Sequence, residues 1–322
     1  MQWRKDWEAC TSFAPVPPPA HPTYDVYAAI DAALAEDAGD YGDISTNSTV
    51  PEGTQASATF LAKAHGVLAG AWVAHAVFAR VDPSVQLKWL KKDGEAVQPG
   101  DIIAEAHGSA RSILVAERVA LNFLQRMSGI ATLTRRMVDA VQGTRTTVLD
   151  TRKTVPGLRL LDKWAVLIGG AQNHRIGLFD MVMIKDNHIA AAGGIAAAVK
   201  ATEDFMRSKG IQRPVEVETR TLEELREVLS ILDGAQGESM VTRIMLDNMT
   251  KKDASKPAGL DVSTLHEAMQ LIGGRQIETE ASGNVTLETI RVISETGVQF
   301  VSIGALTHSV PAMDISLNIQ TE

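Results

Sequence analysis

Ionisable residues crowd the ends of short apolar runs in the second half of the chain: Asp150-Thr151-Arg152-Lys153, Lys185-Asp186, Glu216 and Glu218, Asp247-Asn248, and Glu278 with Glu280. From Arg152 to Lys185 there are six Lys or Arg against two Asp, and His174 sits beside Arg175. In a chain of formal net charge −8, such a gathering of cations points to an anionic ligand. Two unit charges ~4 Å apart interact by about 4 kcal/mol at an effective dielectric of about 20, so partly buried cations repel one another unless a polyanion lies between them. Arginine adds a planar fork that matches a carboxylate through two hydrogen bonds. A Schiff-base lysine at Lys153 or Lys185, as in an aldolase, is the competing chemistry; the surrounding arginines speak against it.

Phosphate binding has a second signature. Ser282-Gly283-Asn284 follows an apolar run and leads into an expected helix over Thr286–Thr296, where backbone N–H groups of small residues can face an anion. Ser302-Ile303-Gly304-Ala305 ends the last run in the same way. Barrel enzymes commonly bind phosphate with the loops after their last two strands. Beside phosphate oxygens, the carboxylates of Glu218 and Asp247 would hold Mg²⁺, directly or through water, or stabilise positive charge developing on a sugar.

The elements that must position these groups change rhythm along the chain. Residues 1–22 read as an irregular arm, because Pro15 to Pro22 favours extended backbone. Residues 23–130 read as an α+β domain. It holds a helix from Tyr24 to Glu36, strands near Val85–Leu90 and Ile102–Ala106, and a connector helix from Ile113 to Gln142 interrupted near Ser128-Gly129. In residues 131–307, runs at Thr146–Leu149, Asp180–Ile184, Val215–Val217, Arg243–Leu246, Ile277–Thr279 and Gln299–Ile303 alternate with helical patterns. Thr221 to Glu224 and Thr264 to Glu267 have capping-box spacing. Repeated β–α units mean a parallel sheet, as a barrel first and an open doubly wound sheet second. The tail, 308–322, is expected to pack back on the first domain. No GxGxxG fingerprint marks a dinucleotide site.

Composition closes off other classes. The acidic net charge provides no field for nucleic acid or an anionic membrane. The single cysteine, Cys10, rules out an internal disulfide framework. The apolar stretch from Ala69 to Ala79 is too short for a bilayer, and no signal-peptide core precedes it.

The segments EDAGDYGDIST, AERVALNFLQRMSGIAT, DTRKTVPGLR, NHRIGLFD, MIKDNHI, VEVETR, MLDNM, EASGN and SIGALTHS together resemble the quinolinate phosphoribosyltransferase family, also called nicotinate-nucleotide pyrophosphorylase (carboxylating). The resemblance runs from about Ala28 to Leu317. It implies an incomplete α/β barrel of about seven strands, fewer than a complete barrel's eight, with an N-terminal α+β sandwich domain. It also implies transfer of a phosphoribosyl group from phosphoribosyl pyrophosphate to quinolinate, with loss of CO₂. By motif, Arg152, His174, Arg175 and Lys185 would clasp the quinolinate carboxylates, and Lys153 would meet pyrophosphate oxygens. Glu218 and Asp247 would face the ribose and its Mg²⁺, while Ser282, Gly283, Asn284, Ser302 and Gly304 would take the 5′-phosphate. Arg118 would complete the site of a partner subunit in a homodimer or larger homo-oligomer. SGN replaces the bacterial SGG, and LDKWAVLIGGAQNH is similar to plant and algal members, which implies a soluble protein of a plastid, or otherwise of the cytoplasm. The enzymatic alternative is a nicotinate phosphoribosyltransferase, which would leave several cations unpaired. A non-catalytic sensor would need damaged motifs, and none is damaged.

Overall fold

A computed structural model describes residues 1–235 and 237–321. It divides the chain into two compact units: Met1–Arg135 with Lys153–Ala171 and Ala305–Glu322, and Arg136–Arg152 with Gln172–Gly304.

The first unit opens with helix α1 (Gln2–Glu8), where an irregular arm was expected. Trp3 and Trp7, four residues apart, lie on one helical face. Trp3 packs on Trp72 at 6.0 Å and Trp7 on Trp164 at 6.4 Å, so tertiary burial makes a helix of a segment whose own pattern is too short to declare one. Helices α2 (Val26–Ala38) and α3 (Ile44–Thr49) begin at Asp25 and Asp43, whose carboxylates accept from the N–H groups of Tyr27 and Thr46. There follow β1 (Gln55–Ala62), β2 (Gly66–Val67), α4 (Ala71–Val81), β3 (Gln86–Trp89), β4 (Ala96–Val97) and β5 (Ile102–Ser109). The chain's last strand, β14 (Ile315–Thr321), pairs antiparallel with β1, giving a four-stranded sheet in the order β14-β1-β5-β3.

Helix α5 (Ala110–Ala140) runs unbroken through Ser128-Gly129, where an interruption was expected. These small residues allow close packing and leave the helix intact. The Ser128 hydroxyl accepts from the N–H of Ala69 at 2.9 Å and donates to its carbonyl at 3.1 Å, and a side chain on Gly129 would meet the backbone of Pro311. Helices α6 (Arg159–Gly169) and α12 (Ala305–His308) complete this unit.

In the second unit, β6 (Thr147–Leu149), β7 (Val182–Ile184), β8 (Val215–Thr219), β9 (Val241–Asp247), β12 (Glu278–Ser282) and β13 (Phe300–Ser302) form one parallel sheet in the order β6-β13-β12-β9-β8-β7. A parallel bridge, Leu149 to Gln172, adds the beginning of another strand beside β6. Read across the sheet, the order is cyclic in sequence, as in a barrel. Among the described residues no pairing joins the Gln172 bridge to β7, the two ends of this order. Helices α7 (Asp186–Ala192), α8 (Ile195–Lys209), α9 (Leu222–Gly234), α10 (Ser263–Ile272) and α11 (Ile290–Ser294) lie between the strands in sequence, with a small hairpin of β10 (Lys251–Lys252) and β11 (Leu260–Asp261).

Two helix starts differ from expectation. The Thr221 hydroxyl caps α9 by accepting from Glu224 N–H, as its spacing predicts. The second box does not form, because α10 begins two residues earlier, at Ser263, and Asp261 accepts from Ser263 N–H at 2.9 Å. Helix α11 spans only Ile290–Ser294, since Thr286 to Thr289 forms a turn closed by Thr286 N–H to the Thr289 hydroxyl at 2.9 Å. The phosphate-loop candidate therefore does not run directly into a helix.

Candidate active site

Strand register decides which charges meet. Glu216 on β8 pairs with Arg243 on β9, Arg243 pairs with Glu278 on β12, and Ser282 pairs with Asp247. Paired residues in neighbouring strands share a face, and alternation adds Glu218 and Glu280 to it. One face of the sheet thus carries two polar layers, where barrel interiors are ordinarily filled by branched apolar side chains.

The lower layer is sealed. Glu216 and Glu280 are both fully buried, and His174 Nε2 lies 3.0 Å from Glu216 Oε2 and 3.2 Å from Glu280 Oε2. Arg243 bridges Glu280 at 3.1 Å and Glu278 at 2.9 Å, with its guanidinium 4.0 Å from the centre of the Phe300 ring. Burial opposes charge on His174 while the two carboxylates favour it, and burial with Glu280 raises Glu216 to about 7. A fully protonated ring would need a hydrogen on Nδ1. The backbone N–H of Arg175 already points there, at 2.6 Å. An amide hydrogen is not given up, so Nδ1 keeps its lone pair, and the extra proton of this coupled cluster resides on the Glu216 side. His174, Glu216 and Glu280 bring ligand atoms within 4.8 Å of one another, close enough for a metal ion, but the Arg243 guanidinium supplies the countercharge here.

The upper layer lies at the carboxyl ends of the strands. Lys185 Nζ is ion-paired with Glu218, whose side chain is 8% exposed. Asp247 accepts from the Ser282 hydroxyl through Oδ1 and from Asn248 Nδ2 at 2.7 Å through Oδ2. Gly283 has φ +101° and a side chain there would drive into the Asn248 amide, so the loop depends on a glycine. Asn284 adopts φ +51°, a left-handed conformation that asparagine tolerates better than most residues. Gly304 follows β13 at the same end of the sheet.

Arg152 and Arg175 provide the strongest sign of a ligand. The Nε of each is buried without a hydrogen-bond partner, and the two guanidinium charges act on one another. Burial first, and Arg152 second, hold Arg175 below the usual arginine value. Two orphaned, mutually repelling donors form an anion cradle. His174 does not join this clasp through its nitrogens as expected, because both are spent on Glu216, Glu280 and the Arg175 backbone.

Lys153 is the next residue after Arg152 but packs with the first unit, where its carbonyl accepts from the Thr307 hydroxyl at 2.7 Å. The loop that follows is held by Tyr24, whose hydroxyl donates to the Gly157 carbonyl at 2.6 Å. Arg118 stands on α5 with its side chain 57% exposed and Glu117 at 4.0 Å. Arg243 was not singled out in the sequence. A lone arginine two and four residues before Met245 and Asp247 in an apolar strand was its only signal.

Comparison with known proteins agrees with this arrangement. The model of the quinolinate phosphoribosyl transferase C-terminal domain matches residues 130–318, and that of the N-terminal domain matches residues 43–128. The chain is 56% identical over 311 residues to a chloroplastic nicotinate-nucleotide pyrophosphorylase [carboxylating] of Oryza sativa subsp. japonica, covering 96% of this chain and 81% of that one. It is also 56% identical over 307 residues to the chloroplastic protein of that name from Arabidopsis thaliana, covering 95% and 86%. The crystal structure of NadC from Streptococcus pyogenes superposes with a TM-score of 0.80 at 38% identity, over 92% of this chain and 98% of that one. On motifs, fold and relatives together, the chain belongs to the quinolinate phosphoribosyltransferase family.

Proposed function

We propose that this chain transfers the phosphoribosyl group of phosphoribosyl pyrophosphate to quinolinate, giving nicotinate mononucleotide, pyrophosphate and CO₂ in NAD biosynthesis. The observation that carries the reading is the pair of buried, unpartnered Nε donors on Arg152 and Arg175. They suit a planar dianion better than a single carboxylate. Lys185, ion-paired with Glu218, stands as a further cation.

The arginines would hold the pyridine carboxylates and so aim the ring nitrogen at the anomeric carbon. The nitrogen lone pair forms the N–C1′ bond as the C1′–O bond to pyrophosphate breaks, with Lys153 neutralising the departing oxygens. Positive charge on the sugar is stabilised by the Glu218 and Asp247 carboxylates. The alkylated ring is cationic, so the C2 carboxylate leaves as CO₂ and its bonding pair stays on C2 until a proton replaces it. Ser282, Gly283 and Asn284, with Ser302 and Gly304, would receive the 5′-phosphate.

Glu218 and Asp247 each offer the carboxylate oxygens that Mg²⁺ takes, and would hold that ion directly or through water. It would supply charge neutralisation at the pyrophosphate. Arg118, largely exposed on α5, would enter the site of a second copy, which makes the active form a homodimer or larger assembly. Among the described residues no helix is long and apolar enough to cross a membrane, and the chloroplastic names of the rice and Arabidopsis relatives favour a plastid location.

The test is direct. Purified protein with quinolinate, phosphoribosyl pyrophosphate and Mg²⁺ should release labelled CO₂ and form nicotinate mononucleotide in equal amounts. Failure to form the product overturns the assignment. Product from nicotinate without CO₂ would identify the non-decarboxylating transferase.

A further inference from the structure

We infer that Glu216, Glu280 and Arg243 are positioning residues that act through His174 to fix Arg175 for the quinolinate carboxylates. The inference rests on the reading of Arg175 as a quinolinate ligand. Its starting point is the opening in the sheet. Between the bridge at Gln172 and the start of β7, no strand pairing among the described residues orders the chain. Arg175 lies in that gap.

Side chains replace the missing ladder. The N–H of His174 donates to Asp150 at 2.8 Å, that of Arg175 to the His174 ring at 2.6 Å, and those of Ile176 and Gly177 to Asp180 at 2.7 and 2.9 Å. Four consecutive amides are thus each held by a side chain. Three of these contacts use carboxylates, Asp180 close by in the chain and Asp150 at the end of β6. The fourth uses an imidazole, and an imidazole presents Nδ1 to Arg175 only if Nε2 is anchored elsewhere. Glu216 and Glu280 are that anchor, on two different strands, and Arg243 from the strand between them holds Glu280 in place.

The anchor is an expensive way to support a loop. Each ion taken out of water costs several kcal/mol, and an apolar core of equal volume would be as stable or more so. What this layer supplies is direction: the proton stays on Nε2, the lone pair stays on Nδ1, and the Arg175 backbone is fixed beneath its guanidinium, whose Nη1 is tied to the Met181 carbonyl at 3.3 Å.

The test separates support from contact. Glu280→Gln should raise the KM for quinolinate by about tenfold, with kcat and the KM for phosphoribosyl pyrophosphate changed by less than about twofold. His174→Asn, whose Oδ1 can accept from the same N–H, should keep quinolinate binding near the wild-type level, and His174→Phe should lose it. An unchanged quinolinate KM in Glu280→Gln overturns the proposal. So does an equal loss in both His174 variants, which would mean that the ring touches substrate. If Glu280→Gln fails to fold, the His174 pair decides alone. Wild-type protein that makes no nicotinate mononucleotide would instead defeat the functional reading, so the two failures are told apart.

Discussion

Arg126 and Asp162 form a bidentate ion pair at 2.8 Å for both contacts, with the Asp162 side chain fully buried and that of Arg126 25% exposed. The Arg126 Nη2 also donates to the Thr307 carbonyl at 2.9 Å, and Asp162 Oδ2 accepts from Val155 N–H at 3.2 Å. The pair therefore ties α5, α12 and the loop after Lys153 together. Burial still pushes the Asp162 carboxyl above its ordinary value despite the guanidinium, so the pair does not fully recover its desolvation. Arg126→Met would leave a buried carboxylate with backbone donors only and should cost about 3–5 kcal/mol. For a unit of this size, that lowers the melting temperature by roughly 10 °C. Arg126→Met/Asp162→Leu removes both charges and should return to within about 2 kcal/mol of wild type. Turnover should not return with it, because Val155 loses its acceptor and the Lys153 loop its tether. The assays are thermal melts of all four proteins and product formation at saturating substrates. A double variant no more stable than Arg126→Met, or one with full turnover, would refute this reasoning.

Other predictions follow from single features. Asp93 is fully buried, and burial raises it to about 7 from 3.8, against the opposing N–H groups of Ala71 and Gly70. A folded pKa above the unfolded one means the native state binds more protons between those values, so this group's stability contribution is present below about pH 4 and is lost by about pH 7, a change of about 4 kcal/mol. Denaturation of Asp93→Asn across that range should show a flatter pH dependence; an unaltered slope would contradict it. Gly283→Ala forces a side chain into Asn248 at φ +101° and should raise the KM for phosphoribosyl pyrophosphate by at least about tenfold while sparing quinolinate affinity. Chelation with EDTA should abolish turnover and Mg²⁺ should restore it, whereas quinolinate binding measured alone should be unmoved, since its arginines hold no metal.

Much of the scaffold was legible because hydrophobic period and caps are local. The β–α rhythm, the Thr221 cap and the motif segments all reside within a few residues of chain. What escaped depends on partners far apart in sequence. The strand VEVET shows Glu216 and Glu218 as neighbours at a strand end, but only its register against Arg243 reveals that Glu216 belongs to a sealed layer and Glu218 to an open one. Ser128-Gly129 looked like a break because small residues weaken helices locally, and only the close approach of Ala69 and Pro311 explains them. The Trp3–Trp72 contact that orders α1 joins residues nearly seventy positions apart. Composition groups His174 with the cations, but its bonding depends on carboxylates more than forty residues away.

The indole-bearing residues have a practical consequence. All five, Trp3, Trp7, Trp72, Trp89 and Trp164, belong to the first unit. Intrinsic fluorescence will therefore follow that unit alone, while circular dichroism sums helices from both. Non-coincident transitions by the two probes would reveal the units melting in separate steps. A Phe300→Trp reporter beneath the Arg243 guanidinium would give the catalytic sheet an emission signal of its own.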